Sequence, residues 1–170
     1  MPALQPLRPP DSHYVDAAIG WLELGNVSEA TEELERIHPR RRAHPDVLEV
    51  RVAIFAAAKK WDEASIIAKT VNALVPERVQ SWVDFAYATR RATDGGFAAA
   101  YEILSEGNAR HPREPSVTYN LACCACQLGK LREAERWLAD TFAAKDRKDW
   151  LFTALNDSDL EPLWKEIGNL

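Results

Sequence analysis

Apolar residues in this chain recur at three- and four-residue spacing in short stretches, and each stretch is broken by a turn. Tyr14, Ala17, Ala18 and Trp21 fall on one helical face, and Val27, Ala30, Leu34 and Ile37 on the next. Leu48, Val52 and Phe55 precede a second stripe of Trp61, Ala64, Ala68 and Val71. Trp82, Phe85 and Ala86 are followed by Ala100, Leu104 and Gly107, and Leu121 and Ala122 by Leu131, Ala134 and Leu138. The pattern predicts helix-turn-helix pairs. The alanine inside each second helix stands at Ala30, Ala64, Ala100 and Ala134, at intervals of 64−30 = 34, 100−64 = 36 and 134−100 = 34. A fixed period of this size marks a repeat array, in which each unit buries its apolar face only by stacking on a neighbour.

Breaker residues place the boundaries. Residues 1–10 hold four prolines and predict an irregular lead-in, after which Asp11 or Ser12 caps the first helix. Asn26, three residues before Glu29, resembles a capping box for the second helix. Pro39, Pro76 and Pro112 close pairs one to three, and Pro45 and Pro115 are good first helical residues. The turn at Leu24-Gly25-Asn26-Val27 returns at Leu128-Gly129-Lys130-Leu131. Lys59-Lys60 replaces it without a glycine, and Thr93-Asp94-Gly95-Gly96-Phe97 lengthens it by two residues. The repeats are thus expected at 11–44, 45–78, 79–114 and 115–144. Past Ala144 the period is lost, yet Trp150, Phe152, Leu155, Leu160, Leu163, Trp164 and Ile167 are too apolar for a disordered tail. Residues 145–170 read as two short helices, Asp149–Leu155 and Leu160–Ile167, that cap the last repeat.

These residues resemble the tetratricopeptide repeat (TPR) family. Its motif has a large residue early in the first helix (helix A), a small one at the helix crossing, and a turn glycine. An aromatic residue then opens the second helix (helix B), which carries a central alanine and ends in proline. Repeat one supplies Tyr14, Ala18, Trp21, Gly25, Val27, Ala30 and Leu34; repeat four supplies Leu121, Ala122, Gly129, Leu131, Ala134 and Leu138. Arg51, where the family usually has an apolar residue, is a departure. The resemblance implies an all-α, right-handed helical-repeat solenoid. It also implies a non-enzymatic scaffold that holds a peptide or helix of a partner in the concave groove lined by the A helices.

Carried over by register, the groove positions are Val15, Ile19 and Leu22, then Glu49, Ala53 and Ala56, then Val83, Tyr87 and Arg90, and finally Tyr119, Asn120, Cys123 and Cys126. Tyr87, Arg90 and Tyr119 are the expected anchors, because aromatic and arginine side chains dominate binding hot spots. The family's best-known groove clamps the C-terminal carboxylate of heat-shock chaperones through basic and asparagine side chains. Val15, Ile19 and Val50 stand at those positions here, and Asn120 alone matches, so that ligand is not expected. Three occupants remain open: a partner segment, a second copy of the chain, or the chain's own tails. An assembly chaperone shielding an apolar client segment is the alternative function.

Charge and composition narrow the choice of partner. A net charge of −5 argues against nonspecific binding to nucleic acid or to acidic membranes. Arg40-Arg41-Arg42 with His38 and His44 forms a basic linker, read chiefly as complementing the acidic helix face Glu29, Glu32, Glu33 and Glu35. No apolar run is long enough to span a bilayer, and MPALQPLRPP lacks the apolar core of a secretory signal. The three cysteines, Cys123, Cys124 and Cys126, form no disulfide framework and suit a reducing, cytoplasmic home. No histidine stands at ligand spacing to them, so neither a metal nor another cofactor is expected. Gly95-Gly96 lacks the strand and lysine of a phosphate-binding loop.

Overall fold

The computed structural model describes residues 5–168, and all regular structure among them is helical. Two compact units divide at the second closing proline, Met1–Pro76 and Glu77–Leu170.

The first unit contains α1 (Asp11–Glu23), α2 (Val27–Arg36), α3 (Pro45–Ala57) and α4 (Trp61–Leu74), with a 3-10 turn at Pro39–Arg41. Helices pair as α1 with α2 and α3 with α4, and α3 also packs on both α1 and α2. Ala18 and Ala30 are fully buried among Leu34, Ile37, Val47 and Ile54, which places the small residues at the helix crossing and the branched ones around it. Full burial of a leucine such as Leu34 stabilises by roughly 1.5–3 kcal/mol. Any side chain larger than alanine at position 18 or 30 overpacks the crossing.

Local chemistry sets the helix ends. Asn26 Oδ1 accepts the backbone N–H of Glu29 at 3.2 Å, the predicted cap of α2. The expected cap at Asp11 or Ser12 does not form. Pro10 precedes the helix, and Asp11 instead accepts the N–H of His38 at 3.0 Å, tying α1 to the end of the first pair. His44 is buried at the start of α3, where its Nδ1 accepts the N–H of Asp46 and its Nε2 donates to the Gln5 carbonyl at 2.9 Å. The bond to Gln5 holds the proline-rich lead-in, whose Leu7 packs on the core of this unit. Arg42 and Arg51 both pair with Glu35, so Arg51 takes part in a charge pair that ties the linker and α3 to α2. Arg40 and Arg41 are exposed.

Three of the turns within the helix pairs share one backbone conformation. Gly25 and Gly129 sit at φ 74° and 75°, and Lys59 takes the same left-handed conformation at φ 57°. A non-glycine residue there costs about 1–2 kcal/mol, so the glycine-free turn keeps its geometry at some expense in stability. At Gly95 the constraint is steric, since a Cβ would lie 1.7 Å from the carbonyl oxygen of Thr89.

The second unit contains α5 (Val79–Arg91), α6 (Phe97–Arg110), α7 (Pro115–Gln127), α8 (Leu131–Phe142), α9 (Arg147–Leu155), a 3-10 helix at Ser158–Leu163 and α10 (Trp164–Ile167). Helices α5 to α8 repeat the packing of the first unit: α5 with α6, α7 with α8, and α7 against α6 and α5. Gly107 lies against the Trp82 ring, where a Cβ would approach it to 3.1 Å. The terminal segment departs from the expected helix at Leu160–Ile167. Pro162 lies inside it, and the chain runs as a 3-10 helix before α10 begins. This 3-10 helix packs on α7 and, less extensively, on α8 and α9.

Candidate functional site: the A-helix faces

In the first unit the predicted groove residues line α1 and α3. Val15 is buried, Ile19 is 42% exposed, and Leu22 and Glu49 are half-buried. Ala53 is exposed and Ala56 half-buried, so this face offers Ile19 and Leu22 beside a strip of small side chains. On the B-helix side, a shallow depression along α2 is lined by Val27, Thr31, Glu32 and Glu35.

In the second unit the predicted residues line α5 and α7, and their surroundings differ. Tyr119 is only 6% exposed and Cys123 only 2%. Tyr119 donates its hydroxyl hydrogen to Asp157 Oδ2 at 2.8 Å, and the Cys123 thiol points at the same oxygen at 3.6 Å. Arg90 forms an ion pair with Asp159, and Gln127 Nε2 donates to the Asp159 carbonyl at 2.8 Å. Trp150 of α9 stacks obliquely on Tyr119, with ring centroids 5.2 Å apart. Leu160, Leu163 and Ile167 are buried in one cluster with Tyr119, Cys123, Cys126 and Phe142. The chain's own terminal segment therefore lies on the α7 part of this face.

Tyr87 stays exposed. The Arg91 guanidinium stacks 3.7 Å from the centre of its ring, and that of Arg90 lies 4.9 Å from the centre of the Phe97 ring. Val83 is half-buried against the core shared by α6 and α7. Asn120 is also half-buried, and its Nδ2 donates to the Ser116 carbonyl of its own helix at 2.7 Å.

Burial, with Asp157 and Asp159 nearby, governs the proton chemistry here. Desolvation pushes the Cys123 thiol far above its ordinary value, and the two carboxylates add to the effect. Cys124 is pushed up to about 11 by burial, against a lowering contribution from Arg90. Cys126 and Tyr119 are raised in the same direction, first by burial. Protonated thiols and a protonated phenol are hydrogen-bond donors and poor nucleophiles. Cys123, Asp157 and Asp159 place potential metal-ligand atoms close together. The two carboxylates, however, already accept from Tyr119 and pair with Arg90.

Sequence reasoning named Tyr119, Cys123 and Arg90 but not their partners. The available signal was Asn156-Asp157-Ser158-Asp159, a turn with two carboxylates entering an apolar capping segment.

No protein-family model matches the chain, and no curated protein sequence matches it. Solved structures do. A thermophilic TPR protein of Thermus thermophilus, TTC0263, superposes with a TM-score of 0.69 at 18% identity, over 94% of this chain and 100% of that one. Two structures labelled MamA, one of them a mutant and the other from AMB-1, each give 0.63 at 15% identity, over 94% of this chain and 91% of theirs. The fold is that of the tetratricopeptide-repeat solenoids. Among the described residues no helix is long and apolar enough to cross a membrane.

Proposed function

We propose that the protein is a non-enzymatic interaction scaffold of a reducing, cytoplasmic environment, which holds a segment of a partner protein on its A-helix faces. One observation carries this reading. Side chains at the register positions expected to bind a partner, Arg90, Tyr119 and Cys123, already hold a chain segment that lies outside the helix pairs. The face is thus chemically suited to a bound peptide. Three buried, protonated thiols fit a reducing compartment and a packing role better than a nucleophilic one.

The α1–α3 face offers the same register without such cover at Ile19 and Ala53. It is therefore the surface assigned to an external protein segment, with Ile19 and Leu22 as apolar anchors and Glu49 at the edge. Removing such side chains from water on binding contributes roughly 25 cal/mol per Å². A photo-crosslinking residue at position 19, compared with one at Ile66 on α4, tests this. A discrete crosslinked partner at 19, absent at 66 and lost when Leu22→Asp is added, is expected. Equal crosslinking at both positions, or none at 19, would remove this face from consideration.

A further inference from the structure

The terminal segment gives a chemical description of what the second face accepts. We propose that the α5–α7 face is a receptor for an acidic turn of the form Asp-x-Asp-Leu, which residues 157–163 fill in cis and a partner segment of the same chemistry fills by displacing them. This rests on the reading that A-helix faces hold protein segments, and it names the ligand of the second face.

Charge complementarity is the first argument. The Arg90 side chain is only 15% exposed, stacks against Phe97, and has its carboxylate partner 69 residues away in sequence, outside the helix pairs. Tyr119 likewise directs its hydroxyl to Asp157. A desolvated cation and a buried phenol that both need an acceptor make this face selective for carboxylates, because an occupant lacking them leaves both groups unpaired. Spacing is the second argument. Asp157 meets α7 at Tyr119 and Cys123, Asp159 reaches Arg90 of α5, and Leu160 and Leu163 enter the apolar cluster of α7 and α8. The ligand is read by two carboxylates two residues apart, followed by a leucine.

The form of the segment is the third argument. It runs as a 3-10 helix interrupted by Pro162, and much of its attachment to α7 is through side chains and one carbonyl. Helix α9, which leads into it, is exposed at Phe152, Thr153 and Leu155, as is Asn156 after it. Displacement requires this segment to open while α5–α8 remain folded, as local unfolding units do. A partner presenting the same groups replaces each lost contact. It competes only against the high effective concentration of the tethered segment, in the millimolar range for short linkers.

The chain's own segment serves as the probe. A fluorescent peptide of residues 156–167 is titrated into the wild-type full chain and into a full-length Leu160→Asp, Leu163→Asp variant whose helicity is verified. Binding to the variant at least tenfold tighter than to wild type is expected. It should weaken at least tenfold when the peptide carries Asp157→Asn and Asp159→Asn, or when the protein carries Arg90→Glu. No binding to the folded variant, or binding indifferent to the two carboxylates, overturns the proposal. Should the variant fail to fold, hydrogen exchange on the wild-type chain decides. Faster exchange of amides 160–167 than of α7 supports a displaceable ligand, and exchange of both at one common rate makes the segment permanent core and refutes it. The peptide assay involves neither Ile19 nor an external partner, so its failure is separable from failure of the α1–α3 assignment.

Discussion

The two units place the same helical register in opposite environments. Glu49, Ala53 and Ala56 of α3 correspond to Tyr119, Cys123 and Cys126 of α7, each pair separated by 70 residues (119−49, 123−53 and 126−56). On α3 these positions are half-buried, exposed and half-buried; on α7 all three are buried. Repeat geometry fixes where an A-helix face points, but not whether it meets solvent. That depends on what else the chain supplies, and the second unit supplies an acidic turn followed by three large aliphatic side chains.

The largest test of this contrast removes the cover. Leu160 has no exposed surface and sits among Tyr119, Cys126 and Leu138. Leu160→Ala should cost about 2–5 kcal/mol, the range for a buried leucine truncated to leave a cavity, read from urea midpoints at unchanged slope. A cost below about 0.5 kcal/mol, the level of an ordinary surface substitution, would mean that the segment is not packed on α7 as described.

A second test uses the fact that all three thiols lie in the second unit. Unfolded thiols ionise near their ordinary value of 9.0, whereas burial raises the folded values, that of Cys124 to about 11. The native state then keeps protons that the unfolded state releases. The stability linked to these thiols is fully present below about pH 9 and is lost as pH rises through the folded values, by about 1.4 kcal/mol per thiol per pH unit. Because the unfolded thiols are half-ionised at pH 9, Cys123 and Cys124 together predict a loss of about 2 kcal/mol between pH 9 and 10. Cys124→Ala should flatten that slope relative to wild type when urea midpoints are compared at pH 7.5 and 10. A wild-type midpoint that does not change with pH would show that these thiols are not desolvated.

Much of this architecture was legible in the sequence because it is local. Helix starts at Pro45, Trp61 and Pro115 follow from the proline positions and the apolar stripe, and they stand as expected, whereas α6 begins at Phe97, the last residue of the expected turn. Gly95 and Gly107 are required by contacts with neighbours that the repeat itself places. Two features were less legible because their causes are distant in sequence. Asp11 is drawn from its capping role by the N–H of His38, 27 residues away. The covered state of Tyr119 depends on Asp157, 38 residues away, and a turn sequence does not say which face it will meet. The sequence left the occupant open among partner, second copy and tail. For the α7 part of the second face, the tail is what the fold positions there.

The finest test places one substitution at one register position in both units. Ala53 and Cys123 are equivalent, and leucine adds a comparable apolar branch to each. Ala53→Leu enlarges a side chain that faces solvent and should shift stability by no more than about 0.5 kcal/mol in either direction. Cys123→Leu must find room against Asp157 and the cluster of Leu160 and Leu163, and it removes the thiol donor. A cost of about 1–3 kcal/mol is expected, the usual range for overpacking a filled core. Adding Leu160→Ala to Cys123→Leu should recover part of that loss, because the truncated leucine leaves space where the new branch points, so the two changes will be non-additive. Additive costs would place Leu160 away from Cys123. Equal costs at positions 53 and 123 would show the two faces to be alike, and the difference between the units would then lie in amino-acid identity rather than in the terminal segment.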